Sequence, residues 1–421
     1  MSAHGHDEPV VRPEQVRISD KSIWSKLPII MGVIGLAGLG GAYALGGGDH
    51  GGEHGNDFYF SYLTSAMFWL ALSLGGLFFV LVQHAARAGW SIVCRRIAEN
   101  MALTLPIMAI LVIVGVFMGS HDLFHWTHTE VVAVDPMLKW KEPYLNESSF
   151  KVRALVYLAV WSILGLFYWF TSTSQDDASS PQEIKAKSHK MRWAAPLGIA
   201  VFALSLTFSA FDWLMSLDPH WFSTIFGAYY FAGAVVSTHA FIALLVILLH
   251  RSGYLRGVVT KEHFHDLGKM MFAFTVFWAY MAFSQYMLIW YASIPEETEW
   301  FSYRGAGDYL TLSIVLVFAR FAFPFLGLIS RHIKRNPKTL AFWAVWILVA
   351  EFIDMFWLID PVGPYNANNH HPSIEFGLVD ILCFVGIGGV WLAVLTWGLS
   401  RKALVPVNDP RLAESVHFEN F

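Results

Sequence analysis

Ten long apolar runs alternate with short polar stretches along the chain, at about 27–46, 58–83, 98–119, 151–171, 193–215, 223–249, 267–291, 308–330, 339–359 and 376–400. About 20 apolar residues carry a helix across a bilayer core, so each run predicts one membrane span. The cations between them alternate loop by loop. The N-terminal tail holds Arg12, Arg17, Lys21 and Lys26, and the next loop none; Arg87, Arg95 and Arg96 then precede a long loop with only Lys139 and Lys141. Lys185, Lys187, Lys190 and Arg192 stand against no cation in 216–222, and Arg251, Arg256 and Lys261 against Arg304 alone. Arg331, Lys334, Arg335 and Lys338 precede a cation-free stretch at 360–375, and Arg401, Lys402 and Arg411 follow the last run. Positive charge collects on the cytoplasmic side, so both termini are expected there.

Composition narrows the class further. Hydrophobic residues make up 55% of the chain, charged residues 14%, and the mean hydropathy is +0.47. Soluble domains carry about 25% charged residues, so an all-α integral membrane protein with no large soluble domain is expected. A net charge of −4 gives no basic patch and no support for nucleic-acid binding. Two cysteines make no disulfide framework: Cys94 is expected in a cytoplasmic loop and Cys383 in the outer part of the last span. Ala42-Tyr43-Ala44 has the form of a secretory cleavage site, but the long polar region before the first run favours a retained helix. Thr171 to His189 reads as a flexible cytoplasmic linker between halves, and Gly46 to Gly55 as a flexible outer loop whose histidines and acids are a weaker metal-binding candidate.

The chain writes one short pattern twice. Phe211-Asp212-Trp213-Leu214-Met215-Ser216-Leu217-Asp218-Pro219 and Ile353-Asp354-Met355-Phe356-Trp357-Leu358-Ile359-Asp360-Pro361 each read apolar residue, Asp, five residues, Asp-Pro. They close the fifth and ninth runs, both directed outward, while His84 before Arg87 and His250 before Arg251 end the second and sixth on the inside. Two parallel-repeated four-helix units follow, spans two to five (58–222) and six to nine (223–375). The first span and its outer loop (27–57) and the tenth span with its tail (376–421) flank them, after a cytoplasmic tail at 1–26.

Ionisable groups inside spans are costly and point to function. Arg320 and Glu351 lie about twelve residues from either end of their runs, near midplane, where adjacent antiparallel helices would pair them. Asp354 shares a helix face with Glu351, roughly 4.5 Å further out, and Asp212 is its counterpart in the first half. These acids, with Asp380 from the outside and His239 and Lys269 from the inside, are candidates for a proton path. Asp218 and Asp360 precede prolines and read as helix ends at the surface. Trp213, Asp218, His220, Trp221 and Asp360 are candidates for a quinone site or for ordinary interfacial anchoring, and both readings stay open. His84 and His250 share a depth that a bis-histidine haem needs, yet as helix ends beside arginines they read more simply as interface residues. His121, His125 and His128 would share a face if helical, and His370-His371 forms a pair outside; these are weaker candidates for recruiting a metal. No cysteine cluster for iron-sulfur binding and no nucleotide fingerprint are present.

The duplicated units resemble the NrfD/PsrC-type membrane subunits of bacterial respiratory complexes. The stretch Ser209-Ala210-Phe211-Asp212-Trp213-Leu214-Met215-Ser216-Leu217-Asp218-Pro219-His220-Trp221-Phe222-Ser223-Thr224-Ile225-Phe226-Gly227, supported by Gly119 to His128 and Ile359-Asp360-Pro361, resembles the ActF family of ten-helix subunits of alternative complex III. The resemblance implies a quinol:electron acceptor oxidoreductase in a bacterial inner membrane. It implies partners as well: a larger NrfD-like paralogue thought to host quinol oxidation, outer multihaem and iron-sulfur subunits, small membrane subunits and lipids. No redox centre is expected on this chain. Haem c and iron-sulfur clusters would belong to the partners, and menaquinol or ubiquinol would be the reductant. Two other classes stay open, a quinol-binding redox anchor and a purely structural membrane subunit.

Overall fold

The structure, a computed structural model, describes residues 11–47, 57–363 and 373–420. Its ten long apolar helices are Ile23–Gly46, Phe58–Ala85, Ile92–Met118, Glu147–Asp176, Pro181–Leu217, Phe226–Arg251, Lys261–Ala292, Gly307–Leu328, Pro337–Val362 and Leu378–Arg401, here spans one to ten. No strand occurs among the described residues. The chain is an all-α, multi-pass membrane protein. His370-His371 and most of the Gly46 to Gly55 loop lie outside the described residues.

Several helices run past the apolar stretches that announce them, because intrahelical hydrogen bonding does not stop where the hydrocarbon does. Span four starts where Asn146 caps the Ser149 N–H at 2.9 Å. Span five starts where Ser180 caps the Glu183 N–H at 3.2 Å, with Pro181 in the first turn. The expected linker from Thr171 to His189 is therefore corrected. Helix fills 171–176 and 181–189, within the first half rather than between halves, and Gln175 bonds Ser188 at 2.6 Å across the turn.

Spans two and six form the centre and are the most deeply buried of the ten. Tyr230 donates to the Met67 carbonyl at 2.9 Å and Thr238 to that of Leu72 at 3.2 Å, joining the two helices. Span five also packs on span six, and span nine on span two. Spans one and ten pair outside this core through facing glycines. A Cβ on Gly35 would stand 2.5 Å from the Val390 nitrogen, so only glycine permits this approach.

Both termini share one face. The Leu404 N–H donates to the Val16 carbonyl and the Leu255 N–H to that of Gln15, each at 2.7 Å. On that face Arg95 and Arg96 do not lie in an exposed loop, as their positions between apolar runs predict. They open span three and are buried, with Arg96 bonded to Glu99 at 2.9 Å and to Asp176 at 2.9 Å. Arg95 holds Asp409 of the C-terminal tail at 2.6 Å. Burial alone would raise the Asp409 carboxyl, but the Arg95 guanidinium outweighs it and keeps the group below the usual carboxylate range. Cys94 is buried in the same helix, and neither it nor Cys383 forms a disulfide.

Candidate functional site

Span six turns Tyr229, Gly233 and Ser237 along one face, four residues apart, toward Glu351 and Asp354 of span nine. Span eight brings Arg320 to the same place. Its helix there is not α but π, over Val317–Ala322, and Pro324 follows two residues later. A π turn inserts one extra residue and re-aims the side chain, and such turns occur frequently at functional sites. Trp346 donates to the Ala319 carbonyl at 2.7 Å within the distorted segment.

The resulting cluster is sealed from solvent. Glu351 and Asp354 have no exposed surface, and Arg320 has 4%. Arg320 donates to Glu351 Oε2, which also accepts from Ser237 at 2.5 Å. Asp354 accepts from Tyr229 at 2.5 Å and from Trp278 at 3.1 Å, and its Oδ2 lies 3.4 Å from Arg320 Nε. The guanidinium also lies over the Trp278 ring, 4.8 Å from its centroid, a favourable cation–π placement. Gly233 makes room for all of this, since a Cβ there would stand 2.8 Å from Glu351 Oε1 and 2.9 Å from an Arg320 nitrogen. One cation thus meets two carboxyls. Glu351 Oε1 and Arg320 Nη1 are buried with no hydrogen-bond partner among the described residues.

Asp212 has a different setting. Arg153, in the first turns of span four, grips it with two bonds of 2.8 and 2.9 Å, and Tyr157 adds a third at 3.0 Å. The Arg153 side chain keeps 20% exposure, stacks at 3.8 Å on Tyr144 and bonds the Tyr144 carbonyl. Burial, with Asp212 next, pushes the Tyr144 hydroxyl up to about 12. One cation meets one carboxylate here. Sequence reading missed Arg153 as the partner, although a cation three residues into an apolar run was the available signal.

The other predicted residues do not join either cluster. His239 bonds its own helix at the Val235 carbonyl, 2.8 Å away, with its ring against Phe79 and Phe274. Lys269 is half-exposed on the terminus-bearing face, paired with Asp266 and bonded to Asn420 at 3.1 Å. Asp380 is a helix-start acid, accepting from the Gly377 N–H at 2.8 Å and from Ser61 at 2.7 Å. His84 stacks on Tyr168, and His250 faces Phe264. His121 and His125 sit in separate short helical turns with His128 just beyond, so the common helical face expected of the three is absent.

The residues proposed for a quinone or surface role are scattered as well. Trp213 is buried against Trp161 and Tyr157, while His220 is exposed and bonded to Asp135 at 2.5 Å. Trp221 stacks on Trp300 at 4.4 Å and donates to the Glu297 carbonyl at 3.1 Å. Asp218 accepts from the His220 N–H at 3.3 Å, and burial raises its carboxyl against the pull of Arg304. Asp360 caps the end of its helix and accepts from Tyr309. Arg304, which sequence reading counted only as a loop cation, is 1% exposed, stacked on Trp300, and bonded to the carbonyls of Trp300, Trp357 and Leu358. The last two carbonyls end span nine, where a cation offsets the helix dipole.

The chain matches no protein-family model and no curated protein.

Proposed function

We propose that the chain is the membrane subunit of a respiratory quinol:electron acceptor oxidoreductase, a scaffold that also carries protons through its second half. Both termini lie in the cytoplasm of a bacterial inner membrane in this reading, with haem- and iron-sulfur-bearing partners on the outer side and a larger paralogue alongside. The resemblance of residues 209–227 to the ActF family supports the setting. The repeated Asp motif and the contacts of span five with six and span nine with two support an internal duplication.

The proton role is carried by one observation. A buried guanidinium faces two carboxyls, so the cluster is electrically neutral only when it holds one proton. Glu351 Oε1 and Arg320 Nη1 are open to a water that would bring or take that proton. Tyr229, bonded to Asp354, continues the chain of exchangeable hydrogens outward.

The test is the proton-to-electron ratio of the purified complex in liposomes. Glu351→Gln and Asp354→Asn each lower the ratio while electron transfer continues. Unchanged ratios in both variants would leave a scaffold only.

A further inference from the structure

A small cavity on the terminus-bearing face has no part in the reading above. It lies where the last turns of span two, the early turns of spans three and five, and the C-terminal tail come together. Its volume is about 50 Å³. A water needs roughly 10–15 Å³ by the same measure, so the space holds a few waters or one tetrahedral oxyanion.

The lining has a surplus of donors. His84 is 5% exposed, and its Nε2 is buried with no hydrogen-bond partner among the described residues. Its ring is fixed by stacking on Tyr168, with 5.4 Å between centroids. Arg192 commits only Nε, to the Ser188 carbonyl at 3.2 Å, and both of its Nη groups are unbonded among the described residues. Arg95 places Nε on Glu99 and Nη2 on Asp409, which leaves Nη1. The Ser188 hydroxyl accepts from Gln175 at 2.6 Å and keeps its own hydrogen to give.

The charges agree with the donors. Asp409, the carboxylate in the lining, is already held: Arg95 bonds one of its oxygens at 2.6 Å and the Arg411 N–H the other at 2.9 Å. Arg411 itself is closed by Glu414 at 2.7 and 2.8 Å. Arg87 and Arg192 remain as guanidinium groups with no acidic partner among the described residues. A water both donates and accepts, and would leave some of these donors unmatched. An anion that only accepts matches them all. Trp193, next to Arg192, is exposed as interfacial tryptophans are, and basic pockets between spans at headgroup level suit lipid phosphates.

We infer that this cavity binds a phosphate-type oxyanion, either the phosphodiester of an anionic lipid headgroup or free phosphate, with Arg192, Arg95, His84 and Ser188 as donors. Asp409, Pro410 and Arg411 form one wall, so the bound oxyanion fastens the C-terminal tail to spans two, three and five. The inference is independent of the proton role and of the side of the membrane on which this face lies.

The test uses the full chain in dodecyl maltoside, stripped of lipid, with the thermal midpoint and native mass spectrometry as readouts. Three probes are titrated: dioleoyl phosphatidylglycerol, inorganic phosphate, and dioleoylglycerol, which has the tails and no phosphate. A midpoint raised by phosphatidylglycerol, with one lipid retained per chain, identifies the headgroup as ligand; one that inorganic phosphate raises as well identifies the free ion. In either case Arg192→Gln weakens binding by about tenfold or more, and His84→Phe, which keeps an aromatic ring against Tyr168, by about three- to tenfold. Arg192 is partly exposed and makes a single hydrogen bond, so its variant keeps the fold. Lys190→Gln removes an exposed cation outside the lining and leaves affinity within about twofold. No effect of either phosphate probe overturns the inference, as does stabilisation by dioleoylglycerol equal to that by phosphatidylglycerol. Affinity unaltered in both Arg192→Gln and His84→Phe overturns it too, and so does a loss with Lys190→Gln as large as with Arg192→Gln.

Discussion

Asp212 and Asp354 stand at matching places in a repeated motif, yet their surroundings solve the problem of a buried carboxylate differently. Asp212 receives a bidentate guanidinium and a tyrosine hydroxyl, the charges cancel, and the cation reaches partly into solvent. Asp354 shares its cation with Glu351, and all three groups are enclosed. Three residues before Asp212 stands Ser209, whose hydroxyl bonds within its own helix at 2.8 Å; three residues before Asp354 stands Glu351. That single difference turns a closed ion pair into a site with a surplus acid. A saturated pair has nothing to exchange, whereas an unbalanced one must hold a proton or lose stability.

Removing each arginine gives the largest contrast. Arg320→Ala leaves two enclosed carboxyls without a cation and is expected to cost about 3–5 kcal/mol. Arg153→Ala leaves one buried carboxylate that retains Tyr157 and has lost only a partly exposed cation, and is expected to cost about 1.5–3 kcal/mol. Thermal midpoints of the purified variants in one detergent compare them. Equal losses would mean that the two sites are energetically alike and that the imbalance is not felt.

Conservative changes of the acids separate structure from proton handling. Asp212→Asn removes charge from a balanced pair, so stability falls and the proton-to-electron ratio of the complex stays at the wild-type value. Glu351→Gln reverses that order, with a lowered ratio and a smaller stability loss, because the amide still accepts from Arg320 and Ser237. A ratio that responds to Asp212 and not to Glu351 would move the proton path to the first half.

How much of this could be read from the sequence depends on the range of the interactions. The ten spans were legible because apolar length is a local property, and the helices fall on every predicted run. The meeting of Arg320 with Glu351 was legible too, since two unexpected charges at matched depth have few other partners. Their geometry was not. A π turn leaves no mark in hydropathy, and Tyr229 and Ser237 look like ordinary residues of an apolar helix. Arg95 and Arg96 failed for the opposite reason. Cation counting takes them as exposed loop residues, whereas Glu99 of the same helix, with Asp176 and Asp409 from two distant segments, neutralises them. The walls of the cavity beside His84 come from segments whose packing no periodicity reports.

A finer contrast concerns the space around each site. Gly233→Ala puts a methyl group within 3 Å of both Glu351 and Arg320, each held by other partners, so the pair must separate or span six must shift. The expected cost is about 1–3 kcal/mol, read as a lowered thermal midpoint together with a lowered proton ratio. A lowered midpoint with an unaltered ratio would show that the Arg320 to Glu351 contact can lengthen without consequence for proton movement.

The smallest expected effect is at Ser209, and it checks whether the first half conceals a polar function. The Ser209 hydroxyl is buried but donates only to the Leu206 carbonyl one turn back. Its removal strands no distant partner, because that carbonyl remains in the helical ladder. Ser209→Ala should therefore change the thermal midpoint by no more than about 0.5 kcal/mol equivalent and leave the proton ratio unchanged. A fall in the ratio would place an exchanging group beside Asp212 after all, and the charge balance drawn around Arg153 would no longer distinguish the halves.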